Sequence, residues 1–208
     1  PLRNVQTLSY VSGSKFPSGG RCTAGYVTAN DKGGLTMPYL AKHLQICDNQ
    51  ATPLQLKVLA EMMPSMQERI AIAYGNTQQF VQHIRTILPN TKISFIDHAL
   101  VDLGFTPSVF SLDLPTTGET PAAKEEYKRQ LNLRLISHMV DNFPTGAKHC
   151  VSYGQLSKSY WTVPATSTQG TTKESDKDYI VRIALPPQID MDVLLDHFDD
   201  FCTQEQLA

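Results

Sequence analysis

A long amphipathic segment, residues 121–142, constrains the fold more than any other feature of the sequence. Its apolar residues recur at helical spacing, and one stripe consists of Tyr127, Leu131, Leu135, Met139 and Phe143. Thr120 supplies a candidate N-cap and Pro121 occupies the first helical position. A helix with one apolar side has to bury that side against another layer, so this segment predicts a packed globular chain.

Further helices are predicted on both sides of this segment. Helical spacing of apolar residues indicates helices over 39–47, 53–63, 65–74, 80–88 and 191–202, the last capped by Asp190. Pro64 should break the helix that begins at Pro53, because proline removes a backbone donor and clashes with the preceding turn. The pair Gly75 and Asn76 predicts a stop and a restart.

Short strands alternate irregularly with these helices. The strand candidates are residues 7–11, 22–29, 92–97, 107–113, 147–153, 158–163 and 178–185. Because no regular β–α–β rhythm connects them, we predict an α+β fold, with a mixed sheet of short strands packed against several amphipathic helices. We expect a single domain over 1–208, with a lobe boundary near 114–120 as the alternative and a flexible loop over 164–177.

Composition and charge exclude several classes of function. The chain of 208 residues has a net charge of -2 and 41% apolar residues, so it lacks the basic excess of a nucleic-acid surface. No apolar run approaches the roughly 18 residues of a spanning helix. Its cysteines are widely separated (Cys22, Cys47, Cys150 and Cys202), which favours reduced thiols in a cytoplasmic protein over a disulfide framework or a zinc site. No metal, nucleotide or cofactor motif is present.

Cys22 is the one candidate nucleophile. It follows a polar, turn-rich loop at 12–20, and its neighbourhood resembles the nucleophile segment of CHAP-type cysteine amidases. A thiolate needs a nearby base, for which His43, His98 and His149 are the candidates. The Gly-His-Val base segment of that family is missing, and the residues after Cys22 favour a strand over a helix. A half-buried strand cysteine is the alternative.

Two clusters are candidate partner-binding surfaces. The first comprises Met62, Met63 and Met66, and the second the acidic residues Asp192, Asp196, Asp199 and Asp200. Methionines line adaptable grooves for amphipathic peptides, but they also fill irregular core gaps. The region 190–208 has six acidic residues and neither lysine nor arginine, so it either attracts basic partner segments or forms an ordinary solvated helix face.

The chain as a whole resembles the LvgA family, the small acidic adaptors of the Dot/Icm type IV secretion coupling complex. The similarity rests on length, mild acidity, the starting segment PLRNVQTLSYVSGSKFPSGG and the acidic segment DMDVLLDHFDDFC. It implies a non-enzymatic cytoplasmic adaptor or chaperone for protein transport and virulence. Such an adaptor would bind a secretion chaperone pair and the coupling ATPase tail, and would recruit effector proteins. The alternatives are a hydrolase that uses Cys22 and an oligomeric structural protein.

Overall fold

The computed structural model describes residues 5–150, 157–163 and 179–207, except 31, 33 and 35. The chain divides into two compact units, Pro1–Gln67 and Glu68–Ala208. The helices are α1 (Met37–Ile46), α2 (Pro53–Met62), α3 (Met66–Ile87), α4 (His98–Asp102), α5 (Pro121–Asn142) and α6 (Met191–Gln204). The strands are β1 (Leu8–Ser12), β2 (Gly25–Ala29), β3 (Lys92–Ser94), β4 (Val109–Asp113), β5 (Ala147–His149), β6 (Ser159–Thr162) and β7 (Val181–Ala184). The predicted α+β class is confirmed.

The first unit contains β1, β2, α1 and α2. The two strands pair antiparallel, from Leu8 opposite Ala29 to Ser12 opposite Gly25. Helix α2 begins as predicted, because the Thr52 hydroxyl accepts the Gln55 backbone N–H at 3.3 Å and the Gln55 side chain accepts the Thr52 backbone N–H at 2.9 Å. Pro53 follows at a position where its missing N–H costs nothing.

The second unit is built on a five-stranded sheet in the order β3-β4-β7-β6-β5. All neighbouring strands are antiparallel except β5 and β6, which are parallel, so the predicted mixed sheet is confirmed. The core joins the sheet to α3, α5 and α6. At its centre the Phe80 ring meets the rings of Phe110, Trp161 and Phe198 edge-on, with centroids 5.8, 6.1 and 5.2 Å away.

Helix α3 corrects one prediction. Pro64 breaks the helix as expected, and a short 3₁₀ turn, Met63–Ser65, separates α2 from α3. The predicted stop at Gly75 and Asn76 is wrong, since α3 runs through both. Glycine costs a helix about 1 kcal/mol relative to alanine. Burial of Ala73, Thr77 and Phe80 outweighs that cost, and the Asn76 side chain donates to the Pro186 carbonyl at 2.9 Å.

Strand β3 corrects a second prediction, that of a strand over residues 92–97. It ends at Ser94 rather than at residue 97, because the Asp97 carboxylate accepts the Leu100 backbone N–H at 2.9 Å and caps α4. The segment 114–120 lies inside the second unit, and the single-domain expectation stays a prediction. The loop expected over 164–177 lies outside the described residues. None of the described helices combines the length and apolar character needed to cross a bilayer.

Candidate functional site

The connection between β1 and β2, residues 13–24, is a compact loop that we call the Lys15 loop. The Lys15 carbonyl accepts the backbone N–H groups of Ser18 and Gly20, at 3.2 and 3.3 Å. The Ser18 hydroxyl is fully buried and accepts the N–H groups of Arg21 and Cys22, both at 3.1 Å. The loop therefore satisfies much of its own backbone and holds one shape without a helix or a strand.

Two glycine features let the loop close so tightly. A Cβ on Gly13 would stand 1.8 Å from the Ala24 carbonyl oxygen, so only glycine allows the two ends of the loop to meet. Gly19 and Gly20 have φ angles of 62° and 79°, in the region where other residues are strained. Both features lie in the same loop as Lys15 and determine the path of the loop backbone.

Lys15 is a half-buried residue of this loop with a primary amine, and it is next in sequence to a hydroxyl-bearing residue. Ser14 precedes it directly, and the hydroxyls of Ser14 and Ser12 lie 2.9 Å apart in a mutual hydrogen bond. Two hydroxyls have two hydrogens, and their mutual bond uses one of them. The other hydrogen can be donated to an anionic oxygen, which the positive charge of the lysine also attracts. A lysine amine is also the nucleophile that proteins use against carbonyl carbons.

Among the described residues of the first unit, no histidine contacts the Cys22 thiol. Its backbone is held by Ser18, and its carbonyl accepts the Ser18 hydroxyl at 3.3 Å. His43 instead contacts Cys47, with its Nε2 atom 3.6 Å from Sγ. His98 opens the short helix α4 and His149 ends β5, both in the second unit. The cysteine hydrolase alternative is not supported.

The three methionines flank the 3₁₀ turn as expected. Met62 ends α2, Met63 begins the turn and Met66 begins α3, and all three are half-buried. Half-burial agrees with packing around a proline break. Their role in partner binding stays a prediction.

The acidic residues of α6 do not share one environment. Asp192, Asp196 and Asp200 are exposed, whereas Asp199 accepts a hydrogen bond from His83 Nε2 at 2.6 Å and is half-buried. A charge engaged with α3 in this way contributes less to an external surface. Binding of partners by the four aspartates stays a prediction, and the link to His83 was not foreseen.

Three other titratable groups of the second unit have structural roles, those of Arg134, Glu205 and Cys202. Arg134 donates to both carboxylate oxygens of Glu205, at 2.7 and 2.8 Å, and this hydrogen bonding lowers the pKa of Glu205. Burial, helped by the nearby Asp199, raises the pKa of the Cys202 thiol to about 12, so this thiol stays protonated and unreactive. Within the described residues, no group of three or more His, Cys, Asp or Glu side chains could hold a metal ion.

Comparison with known proteins identifies the fold. No protein-family model matches the chain, and no curated protein matches it. Among solved structures, it is similar to a cystathionine γ-lyase from Lactobacillus plantarum complexed with L-serine, with a TM-score of 0.67 and 16% identity over 96% of this chain and 51% of that one. It is also similar to CalE6, a methionine γ-lyase from Micromonospora echinospora, with a TM-score of 0.68 and 16% identity over 97% of this chain and 50% of that one.

A third neighbour is a cystathionine γ-synthase from Xanthomonas oryzae pv. oryzae in complex with aminoacrylate and cysteine. Its TM-score is 0.64, with 14% identity over 96% of this chain and 50% of that chain. The chain thus spans about half the length of each neighbour. The likeness is one of fold, because the identities are low.

These findings correct the functional prediction. The expectation of a non-enzymatic adaptor, with its roles in transport and virulence, is wrong because the fold is shared with metabolic lyases and synthases. The resemblance to the LvgA family rested on length, mild acidity and two segments of the chain, and it stays a prediction. Lys15 was not recognised from the sequence, in which it is part of a polar loop. The available signal was one lysine between small hydroxyl residues and a pair of glycines.

Proposed function

We propose that this chain is part of an enzyme that acts on α-amino acids with pyridoxal phosphate, and that Lys15 is the residue that holds the cofactor. The observation that carries the proposal is the half-buried residue Lys15 in a tight loop, directly after the hydroxyl pair Ser12 and Ser14. The fold supports the same assignment, since its neighbours are named as γ-lyases and a γ-synthase of amino acids.

The chemistry of those named reactions explains the choice of cofactor. Making or breaking a bond at the γ-carbon of an amino acid requires negative charge on carbon next to the amino group. When bound, pyridoxal phosphate supplies an electron sink for that charge. A protein that binds it needs an amine for its aldehyde and hydrogen-bond donors for its phosphate.

The residues of the Lys15 loop fit both needs. Lys15 has the primary amine, and the Ser12 and Ser14 hydroxyls retain one hydrogen between them for a phosphate oxygen. Arg21, in the same loop, adds positive charge that favours an anion. The backbone bonds around Ser18 hold these groups in place, so little conformational entropy is lost when an anion binds.

The test is selective chemical labelling. The protein is expressed from its whole natural coding sequence, purified, incubated with limiting pyridoxal phosphate, treated with borohydride and mapped by peptide mass spectrometry. We expect Lys15 to be labelled on the order of tenfold more than Lys57, a preference of about 1.4 kcal/mol. Lys57 is an exposed surface lysine 3.9 Å from Glu61. Lys15→Arg should abolish the preferred label, and the matched control Lys57→Arg should leave it unchanged.

The serine pair is tested by removing the phosphate from the probe. Ser14→Ala should reduce labelling by pyridoxal phosphate but leave labelling by pyridoxal unchanged, because only the first probe has a phosphate. Equal labelling of Lys15 and the exposed lysines would refute the proposal.

A further inference from the structure

The first unit has almost no hydrophobic core of its own. Glycine and proline aside, 26 apolar residues are buried in the described part of the chain, and only Ala24 and Leu59 of these belong to the first unit. No residue of α1 is buried, and all five residues of β1 are exposed. Burial of apolar surface is the main favourable contribution to folding, so this unit has little to stabilise it alone.

The same unit exposes large apolar side chains that a finished protein surface rarely presents together. It contains eight of the thirteen exposed large hydrophobic residues found among the described residues. The most exposed are Tyr10 at 86%, Tyr39 at 77% and Ile46 at 74%. A concentration of this kind marks a surface that another protein element covers.

The β1–β2 ribbon shows what kind of element is missing. Within the described residues, these strands pair only with each other, and an isolated two-stranded ribbon is at best marginally stable in water. The register places Leu8 opposite Ala29 and Tyr10 opposite Val27 on one face, and Val11 opposite Tyr26 on the other. Strands with apolar residues on both faces are typical of sheets covered by helices on both sides.

We infer that the β1–β2 ribbon is part of a larger sheet whose other strands and covering helices come from further residues of the same polypeptide, of about this chain's own length. The structural neighbours give the length and the source. This chain matches them over 94–97% of its residues but accounts for only 50–51% of each of their single chains. The inference goes beyond the proposed function, because it rests on burial, on strand pairing and on the extent of the structural match, and not on the chemistry of Lys15.

The first experiment measures the mass of the natural protein in its source. An antibody raised against the α5 segment, residues 121–142, is used for purification, and the intact mass is determined by mass spectrometry. We expect a mass of about twice the 23.1 kDa of this chain. A natural protein of 23.1 kDa would overturn the inference. The inference would also be wrong if a protein of that mass were found bound to a separate partner chain.

The second experiment compares hydrogen exchange in the 208-residue chain and in the longer natural protein. In the 208-residue chain, the amides of β1 and β2 should exchange almost without protection, while those of β4 and β7 are slow. In the longer protein, β1 and β2 should slow by on the order of 100-fold, and β4 and β7 should not change.

Light scattering and one pair of variants complete the test. If the 208-residue chain forms a dimer that protects β1 equally well, a second copy covers the ribbon and the inference is wrong. In the longer protein, Tyr10→Ser should speed exchange in β1 and β2, because it removes a large side chain from the covered face. Phe105→Ser, at a 59% exposed position of the second unit, is the control and should leave β1 unchanged. Lys15 labelling is a separate readout, so either proposal can fail while the other stands.

Discussion

Replacement of Phe80 tests the account of the second unit's core. Its ring is fully buried and lies edge-on to three other rings, those of Phe110, Trp161 and Phe198. Truncation of a buried phenylalanine to alanine costs about 3–5 kcal/mol. Each aromatic pair adds about 0.5–1.5 kcal/mol beyond area burial. We therefore expect Phe80→Ala to lower the free energy of unfolding by about 4–5 kcal/mol, at the upper end of the first range.

A loss of this size is a large fraction of the roughly 5–15 kcal/mol that stabilises a typical domain. Phe80→Leu is the gentler variant, with an expected loss of about 2 kcal/mol, since leucine keeps much of the volume but none of the ring contacts. Phe105→Ala is the control, because its side chain is 59% exposed and its loss should stay within about 0.5 kcal/mol.

Urea unfolding, followed by the fluorescence of the single tryptophan, Trp161, measures all three variants. Trp161 is fully buried in the same core, and its ring centroid lies 6.1 Å from that of Phe80. Far-ultraviolet circular dichroism checks that the two signals change together, as two-state unfolding requires. The account of the core would be refuted if Phe80→Ala cost no more than Phe105→Ala.

Three further predictions concern local features of the second unit. Gly75→Ala should raise the free energy of unfolding by about 0.5–1 kcal/mol in urea, because an added Cβ meets nothing within 4 Å in the middle of α3. Gly118→Ala should lower it, because Gly118 has φ +147° and the new Cβ would lie 2.9 Å from the Lys124 nitrogen; a stabilised Gly118→Ala would contradict this reasoning. Glu205→Gln should cost about 0.5–1 kcal/mol at pH 7, given the partial exposure of its pair with Arg134. Arg134 lowers the pKa of Glu205 in the folded protein below its ordinary value of 4.5. The difference in stability should therefore be full above pH 4.5 and vanish as the pH falls through the lowered pKa. A difference that persists unchanged to pH 2 would contradict this cause.

Local signals in the sequence located the helices well. Thr52, Thr120 and Asp190 were identified as N-caps, and each side chain accepts a backbone N–H in the following turn. Such caps act over three residues, so their chemistry can be read from neighbours in the chain. The same local reasoning failed at Gly75, where α3 continues because residues distant in sequence contact the helix and bury one of its faces.

The candidate site was much harder to recognise. Lys15 is one lysine in a polar loop, and no motif identified it before the fold was known. Its distinctive features are the closure of the loop at Gly13, the buried hydroxyl of Ser18 and the hydrogen bond between Ser12 and Ser14. Each of these is a three-dimensional relation between groups, and none is a property of a single residue.

By itself, the sequence determined where most of the helices begin, the alternation of short strands with them and hence the α+β class, because caps, prolines and apolar periodicity act within one or two turns of chain. Only the tertiary structure decided the order of the strands and the likeness to amino-acid lyases and synthases. It was also the tertiary structure that made Lys15 recognisable as a candidate site residue. Strand order and side-chain burial depend on contacts between residues far apart in the sequence, where local propensity carries no information.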